Sequence, residues 1–320
     1  MALSNQEFID TLNNFNTGQK ARLVDKYNIS VTALGDFYYV NRATGDDDND
    51  GLTEGLPFAT ITAAVSAASA YDTILVAGTA YQETDATLDN DYLEDVTIPP
   101  TKMGLRLIGM GNSPEGIAWS CSEADAIALT INARDCYVSG FRFRPNGATS
   151  SAGIKIQTNA AMTLNAMGTT IENCIFRSHT TTALAGILID ASNDITIKNC
   201  KFTSVLTAVK SISPGHSVQY RTVIKDCFVD DKCTNGFVLD VRSGLIKNND
   251  FASGLTTIIS TYAFGLGKDN VVTGHNFICG TDYGTNCVGA PGDNWLGNWT
   301  DQASEGSETL ASGQTILPPA

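Results

Sequence analysis

The run Asp46-Asp47-Asp48-Asn49-Asp50-Gly51 carries the densest concentration of potential chemistry in the chain. Asp46, Asp48 and Asp50 set oxygens at alternate positions and Gly51 allows a sharp turn, as at the start of a calcium loop. Position twelve of such a loop is Pro57, so the bidentate glutamate is missing, and Glu54 at position nine is the nearest substitute. A solvated acidic turn is the competing reading. Calcium bound here would be structural, and no other cofactor is required.

Acid–base cleavage of a glycan needs two carboxyl groups held roughly 5 to 9 Å apart across a sugar-binding groove. The candidates are Asp85, Asp89, Asp91, Glu94 and Asp95 in one stretch, and the adjacent Asp230 and Asp231. Neither set is distinctive in a chain with 34 acidic and 20 basic residues, where solvated acidic loops are the rule. His179, His216 and His275 are scattered, and Arg221 and Arg242 have no acidic neighbours that would form a calcium-assisted lyase site. The sequence therefore names no catalytic residue.

The net charge of −14 argues against nucleic acid as a partner, because no basic patch is dense enough to release phosphate counterions. No apolar run approaches the roughly 20 residues of a membrane span. The opening MALSNQEFIDTLNNF lacks the basic stretch and apolar run of a secretory signal, which predicts reduced thiols. The eight cysteines show no C-x-x-C pair. Cys279 and Cys287 are close enough to close a small loop, but the expectation is that they stay free.

What must position these residues is a repeat. TTIENCIF, ITIKNCKF, TVIKDCF, GLIKNNDF and VVTGHNF end at Phe176, Phe202, Phe228, Phe251 and Phe277, at spacings of 26, 26, 23 and 26 residues. CYVSGFRF, ending at Phe143, is a looser copy 33 residues upstream, with AAMTLNAMG as an inserted loop, and LRLIGMGN from Leu105 reads as an earlier coil. Each unit opens with a short alternating strand: AGIKIQ, AGILID, TAVKSI, NGFVLD and TTIIST. About 25 residues cannot bury such strands alone and leave no room for a crossover helix, so each coil must lie directly on its predecessor. The fold class is all-β: a right-handed parallel β-helix with short N-terminal helices. Cys174, Cys200 and Cys227 then stack as a buried row. Asn173, Asn199, Asp226 and Asn248 fall at a turn where Asn and Asp tolerate left-handed backbone.

The segment from Phe37 to Glu83, with YYV, the acidic loop, P-F-A-T-I, D-T-I-L-V and the Tyr81–Glu83 turn, resembles the opening of the pectate-lyase-like β-helix superfamily. It departs at Tyr71, where glycine is usual, and at Ala80, an apparent one-residue shift. With the repeats the resemblance covers Phe37 to Trp299. It implies the fold but little about activity, since the same solenoid carries lyases, hydrolases, phage tailspikes and inert surface proteins. Pro57 suits the first turn of a helix running to Ala70, with Phe58, Ile61 and Val65 on one face, as a cap for the solenoid. At the other end Trp295 and Trp299 would close the final coil.

Ahead of the solenoid, Ser4 to Glu7 forms a capping box and Phe8, Leu12 and Phe15 share a helical face. A second short helix carries Leu23, Val24 and Tyr27. Residues 1–35 are thus expected to be a helical attachment segment, 36–290 the β-helix and 291–320 a C-terminal cap and tail. The resulting expectation is a bacteriophage virion surface protein, a capsid decoration protein or short tailspike. It would be assembled in the host cytoplasm as a homotrimer, and docked on capsid or tail proteins through Phe8, Leu12 and Phe15. Host-surface glycans would be a further partner. The alternative is a polysaccharide lyase or glycoside hydrolase of the same fold.

Overall fold

The computed structural model describes residues 35–78, 91–111, 113–147, 149–158, 163, 165–178, 183–212, 219–263, 265–277 and 286–300. The expected N-terminal helices, with Phe8, Leu12 and Phe15, lie outside these residues, as do Asp85, Asp89, His179, His216 and Cys279.

Strands of two to eight residues recur in threes and assemble into three long sheets in which every strand pair is parallel. Sheet A has ten strands among the described residues, from Phe37–Val40 to Asn294–Leu296. Sheet B has nine, from Tyr92–Leu93 to Trp299–Thr300, and sheet C has eight, from Val96–Ile98 to Cys287–Val288. From Thr73–Ala77 onward the chain visits A, B and C in order and then begins the next coil, giving a right-handed parallel β-helix. The expected opening strands are the sheet C strands, from Ala152–Gln157 to Thr257–Ser260.

Alternation in each strand turns one side chain inward per coil, and register stacks these into files. In sheet A the inner file runs Ile74, Leu107, Val138, Ile171, Ile197, Ile224, Ile246, Val272, Trp295. In sheet B it runs Tyr92, Trp119, Phe143, Phe176, Phe202, Val229, Phe251. Phe143, Phe176 and Phe202 stack nearly parallel, with ring centroids 5.3 and 4.9 Å apart. Gly153 and Gly186 leave room for these rings, since a Cβ at either would sit 2.7 Å from the Phe176 or Phe202 ring.

Phe228 does not follow Phe202 into the core: Val229 pairs with Phe202, while Phe228 pairs with Lys201 and points outward, 39% exposed. The turn, not the phenylalanine, sets the register. Asn173, Asn199, Asp226 and Asn248 all adopt left-handed backbone, with φ of 50, 51, 56 and 53°, and Gly140, Gly274 and Gly297 hold the same place in other coils. The Asn199 amide donates to Asn173 Oδ1, and that of Asn248 to Asp226 Oδ1, each at 3.4 Å. The residue after each turn faces inward, so Cys174, Cys200 and Cys227 form the expected buried row.

The single described α-helix, α1 (Ile61–Ala67), is shorter than expected. Pro57 precedes it, Phe58 bridges to Val40 in sheet A, and Thr60 is the N-cap, accepting from the Ala63 amide. The Thr60 hydroxyl satisfies the orphan Ala63 N–H, which fixes the start of the helix at Ile61, and the chain is extended again at Ala68. Ile61, Ala64 and Val65 are buried against the first strands of sheets A and C, so α1 covers the N-terminal end of the core. At the C-terminal end, strands continue past residue 290, and Trp295 fills the last inner position of sheet A. No described helix is long and apolar enough to cross a membrane.

Candidate functional site

The acidic loop does not assemble a ligand set. Asp46 Oδ1 accepts from the Asp48 amide and Asp50 Oδ1 from the Leu52 amide, each two residues on, as in Asx turns. Asp47, the acid outside the alternating pattern, does the most. Its carboxylate accepts from the Ala59 and Thr60 amides at 2.9 Å and from the Thr60 hydroxyl at 2.8 Å, tying the loop to the start of α1. Among the described residues no three His, Cys, Asp or Glu side chains gather to hold a metal ion, and Asp46, Asp48 and Asp50 are no exception.

The carboxylates proposed for glycan cleavage are engaged elsewhere. Glu94 accepts from the Ile61 and Thr62 amides and the Thr62 hydroxyl, a negative charge at the positive end of α1. Asp95 binds the amide and hydroxyl of Ser122. Asp91 is 1% exposed. It accepts from Arg144 Nη1 on both oxygens at 3.0 Å and from the Ser120 hydroxyl, across the outer face of sheet B. Asp230 and Asp231 are sequence neighbours that bias each other's protonation. Burial works to raise Asp230, but bonds from Asp231, Thr203 and the Lys232 amide bring it below its ordinary value, and the bond to Asp230 raises Asp231.

The remaining candidates are equally committed. Arg221 grips Asp194 through two nitrogens at 2.5 and 2.7 Å, and Arg242 Nε donates to the Leu266 carbonyl. His275 is fully buried in the inward file after the left-handed turn, one coil beyond Asn249 and one before Asn298. Its Nδ1 accepts from the Asn249 amide at 3.2 Å and its Nε2 donates to the Ile246 carbonyl at 2.8 Å, which fixes one neutral tautomer. Burial pushes its pKa down to about 4. The cysteine row is similarly inert: burial first, and then the flanking thiols of Cys174 and Cys227, raise Cys200 well above an ordinary thiol. Cys287 is fully buried.

The outer face of sheet A is different. One outward file runs Ser139, Glu172, Lys198, Lys225, Lys247, Thr273 in consecutive strands. The file beside it runs Arg106, Tyr137, Thr170, Thr196, Val223, Leu245, Val271. At the N-terminal end the charges are joined: Glu172 Oε2 takes the Tyr137 hydroxyl at 2.9 Å and Lys198 Nζ at 3.0 Å, while the Arg106 guanidinium lies 4.7 Å over the Tyr137 ring. Further along, Lys225 and Lys247 have no acidic partner among the described residues. Neighbouring strands are about 4.8 Å apart, and two like unit charges at that spacing would repel by roughly 1 kcal/mol in a water-like dielectric. Around the turn lies a shallow groove of about 240 Å³, lined by Asn173, Asn199, Lys201, Asp226 and Phe228. Lys201 Nζ sits 5.7 Å from the centre of the exposed Phe228 ring.

This face was overlooked in the sequence, although its signal is present. The repeats read T-I-K-N-C, V-I-K-D-C and L-I-K-N-N, placing lysine at one constant position after an inward isoleucine.

No family model and no curated protein matches the sequence. Among solved structures, alginate lyase from Paenibacillus sp. str. FPU-7 superposes with a TM-score of 0.51 at 12% identity, over 75% of this chain and 92% of that one. The GH136 lacto-N-biosidase from Eubacterium ramulus gives 0.55 at 13% identity, over 88% of this chain and 57% of that one, so the chain spans little more than half its length. YbhC from Escherichia coli gives 0.50 at 12% identity, over 82% and 77%. These likenesses establish the fold, and at such identities they establish nothing further.

Proposed function

We propose that the protein is a glycan-binding β-helix of a bacteriophage virion surface, holding polysaccharide on the outer face of sheet A without cleaving it. The observation that carries this reading is the contrast among the charged groups. Asp91, Glu94, Asp95 and Asp47 are engaged in the fold, whereas the lysine file is presented outward beside threonines and aliphatic side chains. A strip with ammonium, hydroxyl and aliphatic groups in parallel files offers a sugar chain both hydrogen bonds and a surface for its C–H faces. Display on a virion as a homotrimer, anchored through Phe8, Leu12 and Phe15, belongs to the same proposal. In its support, α1 already covers the first coil, which leaves residues 1–35 available for attachment.

The test is to incubate the full chain with a panel of neutral and charged bacterial surface polysaccharides, scoring retention by affinity electrophoresis and chain length by size exclusion. Retention with unchanged polymer length supports the proposal. Shortening of any polymer would favour the lyase or glycosidase alternative, and absence of retention across the panel would remove the glycan reading altogether.

A further inference from the structure

We infer that the Lys198–Lys225–Lys247 file is a binding site for an acidic polysaccharide, a linear glycan bearing carboxylates along its length and lying parallel to the solenoid axis. The inference rests on the glycan-binding reading above and names the ligand class of that face.

Three observations carry it. First, the lysines are Cα partners in successive strands, Lys198 with Lys225 and Lys225 with Lys247, so their charges form one straight file along the axis. Second, the file is under-neutralised: Glu172 meets Lys198 only, while Lys225 and Lys247 have no carboxylate partner among the described residues. This occurs in a chain of net charge −14, where six of eleven lysines fall between Lys198 and Lys247. Like charges set directly opposite in neighbouring strands destabilise a sheet, and a polymer supplying one negative group every coil or two would relieve the repulsion. Third, the flanks suit a sugar rather than a nucleic acid. Thr170 and Thr196 are the Cα partners next along the strands, and Asn173 and Asn199 edge the turn. Val223 and Leu245 extend the same neighbouring file. No aromatic side chain stands among the lysines of this file to stack bases, and a single file of cations in an acidic field is weak support for a phosphate backbone.

The experiment uses the full chain and four gels: polygalacturonate, dextran, single-stranded DNA and no polymer. Wild type is compared with the triple variant Lys198→Gln/Lys225→Gln/Lys247→Gln and with Lys268→Gln, an exposed control lysine outside the file and beside Asp269. Circular dichroism and thermal melting confirm that each variant folds, which outward-facing substitutions favour. The expected result is retention by polygalacturonate that weakens roughly tenfold or more in the triple variant and fades with added salt. Lys268→Gln should behave as wild type, and dextran and DNA should retain the protein less. If the triple variant is retained like wild type, the lysine file is not the site, although glycan binding stands. Equal retention by dextran removes the role of charge, and equal retention by DNA removes the assignment to glycans. No retention by polygalacturonate overturns the inference, and the broader polysaccharide panel then decides separately whether the glycan-binding reading survives.

Discussion

The outer faces of sheets B and A treat charge in opposite ways. On sheet B near the N-terminal end, Arg142 and Arg144 follow Ala118 and Ser120 in the outward files, yet both are buried. Arg144 meets Asp91 through a bidentate contact, and Arg142 meets Glu115 at 3.2 Å. On sheet A the corresponding outward positions carry lysines, and beyond Lys198 none is paired among the described residues. A charge removed from water must be bonded or it is ruinous, whereas one left in water can remain unpaired at little cost. The first face therefore reads as architecture and the second as a surface available to something else.

The largest expected effect breaks the sealed face. Asp91→Ala would leave the Arg144 guanidinium buried without its carboxylate, costing about 3 to 5 kcal/mol, seen as a large drop in the urea midpoint. A loss below about 1 kcal/mol would mean that water reaches the pair and that the two faces differ less than their geometry suggests.

His275 extends the contrast into the core and comes next in size. Its folded pKa of about 4 lies below the ordinary value of 6.5, so the unfolded chain binds the proton more readily. Above pH 6.5 both states are neutral and nothing is lost. As the pH falls from 6.5 towards 4, stability declines by roughly 3 kcal/mol from this group alone. In His275→Asn that portion of the decline should vanish, because asparagine fills the same position in the flanking coils at Asn249 and Asn298. Melting curves from pH 7 to pH 4 for both proteins measure it, and equal slopes would show that the imidazole is hydrated.

These cases mark what was legible in the sequence. The solenoid was, because period-two strands and a constant N-C turn recur every coil, and the inward files follow from them. The phenylalanines that close the repeats do not by themselves give the register, since Phe228 faces outward where Phe202 faces inward. An apolar residue at the end of a short strand is plausible on either face, whereas the left-handed Asn or Asp has only one place to stand, and aligning on Asp226 puts Val229 in the core. The lysine file was legible in the same way, since Lys198, Lys225 and Lys247 precede that turn residue directly. The Asp91–Arg144 pair was not, because its members lie 53 residues apart and in no shared repeat. The acidic loop is ambiguous in sequence, because alternating aspartates serve Asx turns as well as they serve calcium.

That loop supplies the third prediction, of intermediate size, since its carboxylates are exposed but bonded. Asp47→Ala removes three hydrogen bonds at the start of α1 and should cost about 1 kcal/mol, comparable to the loss of a helix cap. Asp48→Ala should cost almost nothing in calcium-free buffer. Titration calorimetry with calcium on wild type and Asp48→Ala sharpens the point: a heat present in the first and absent in the second would restore a structural calcium site, and identical traces would leave the loop as turns alone.

The smallest effect, and the one of opposite sign, belongs to the open face. Lys225 stands between Lys198 and Lys247 in the file, with a like charge one strand away on each side. Lys198 is partly neutralised by Glu172, so the unrelieved repulsion falls mainly between Lys225 and Lys247. Replacing Lys225 with glutamine keeps the first two methylenes of the stem and removes the charge from an outward-facing position, so core packing is unchanged. The variant should be as stable as wild type or more stable, by at most about 1 kcal/mol at low ionic strength. Salt should erase the gain, because exposed charges are screened over a Debye length of about 8 Å at physiological ionic strength. Urea midpoints at two salt concentrations decide it. A loss of stability in Lys225→Gln would mean that the lysine holds the fold together, and the open face would then belong with the sealed one.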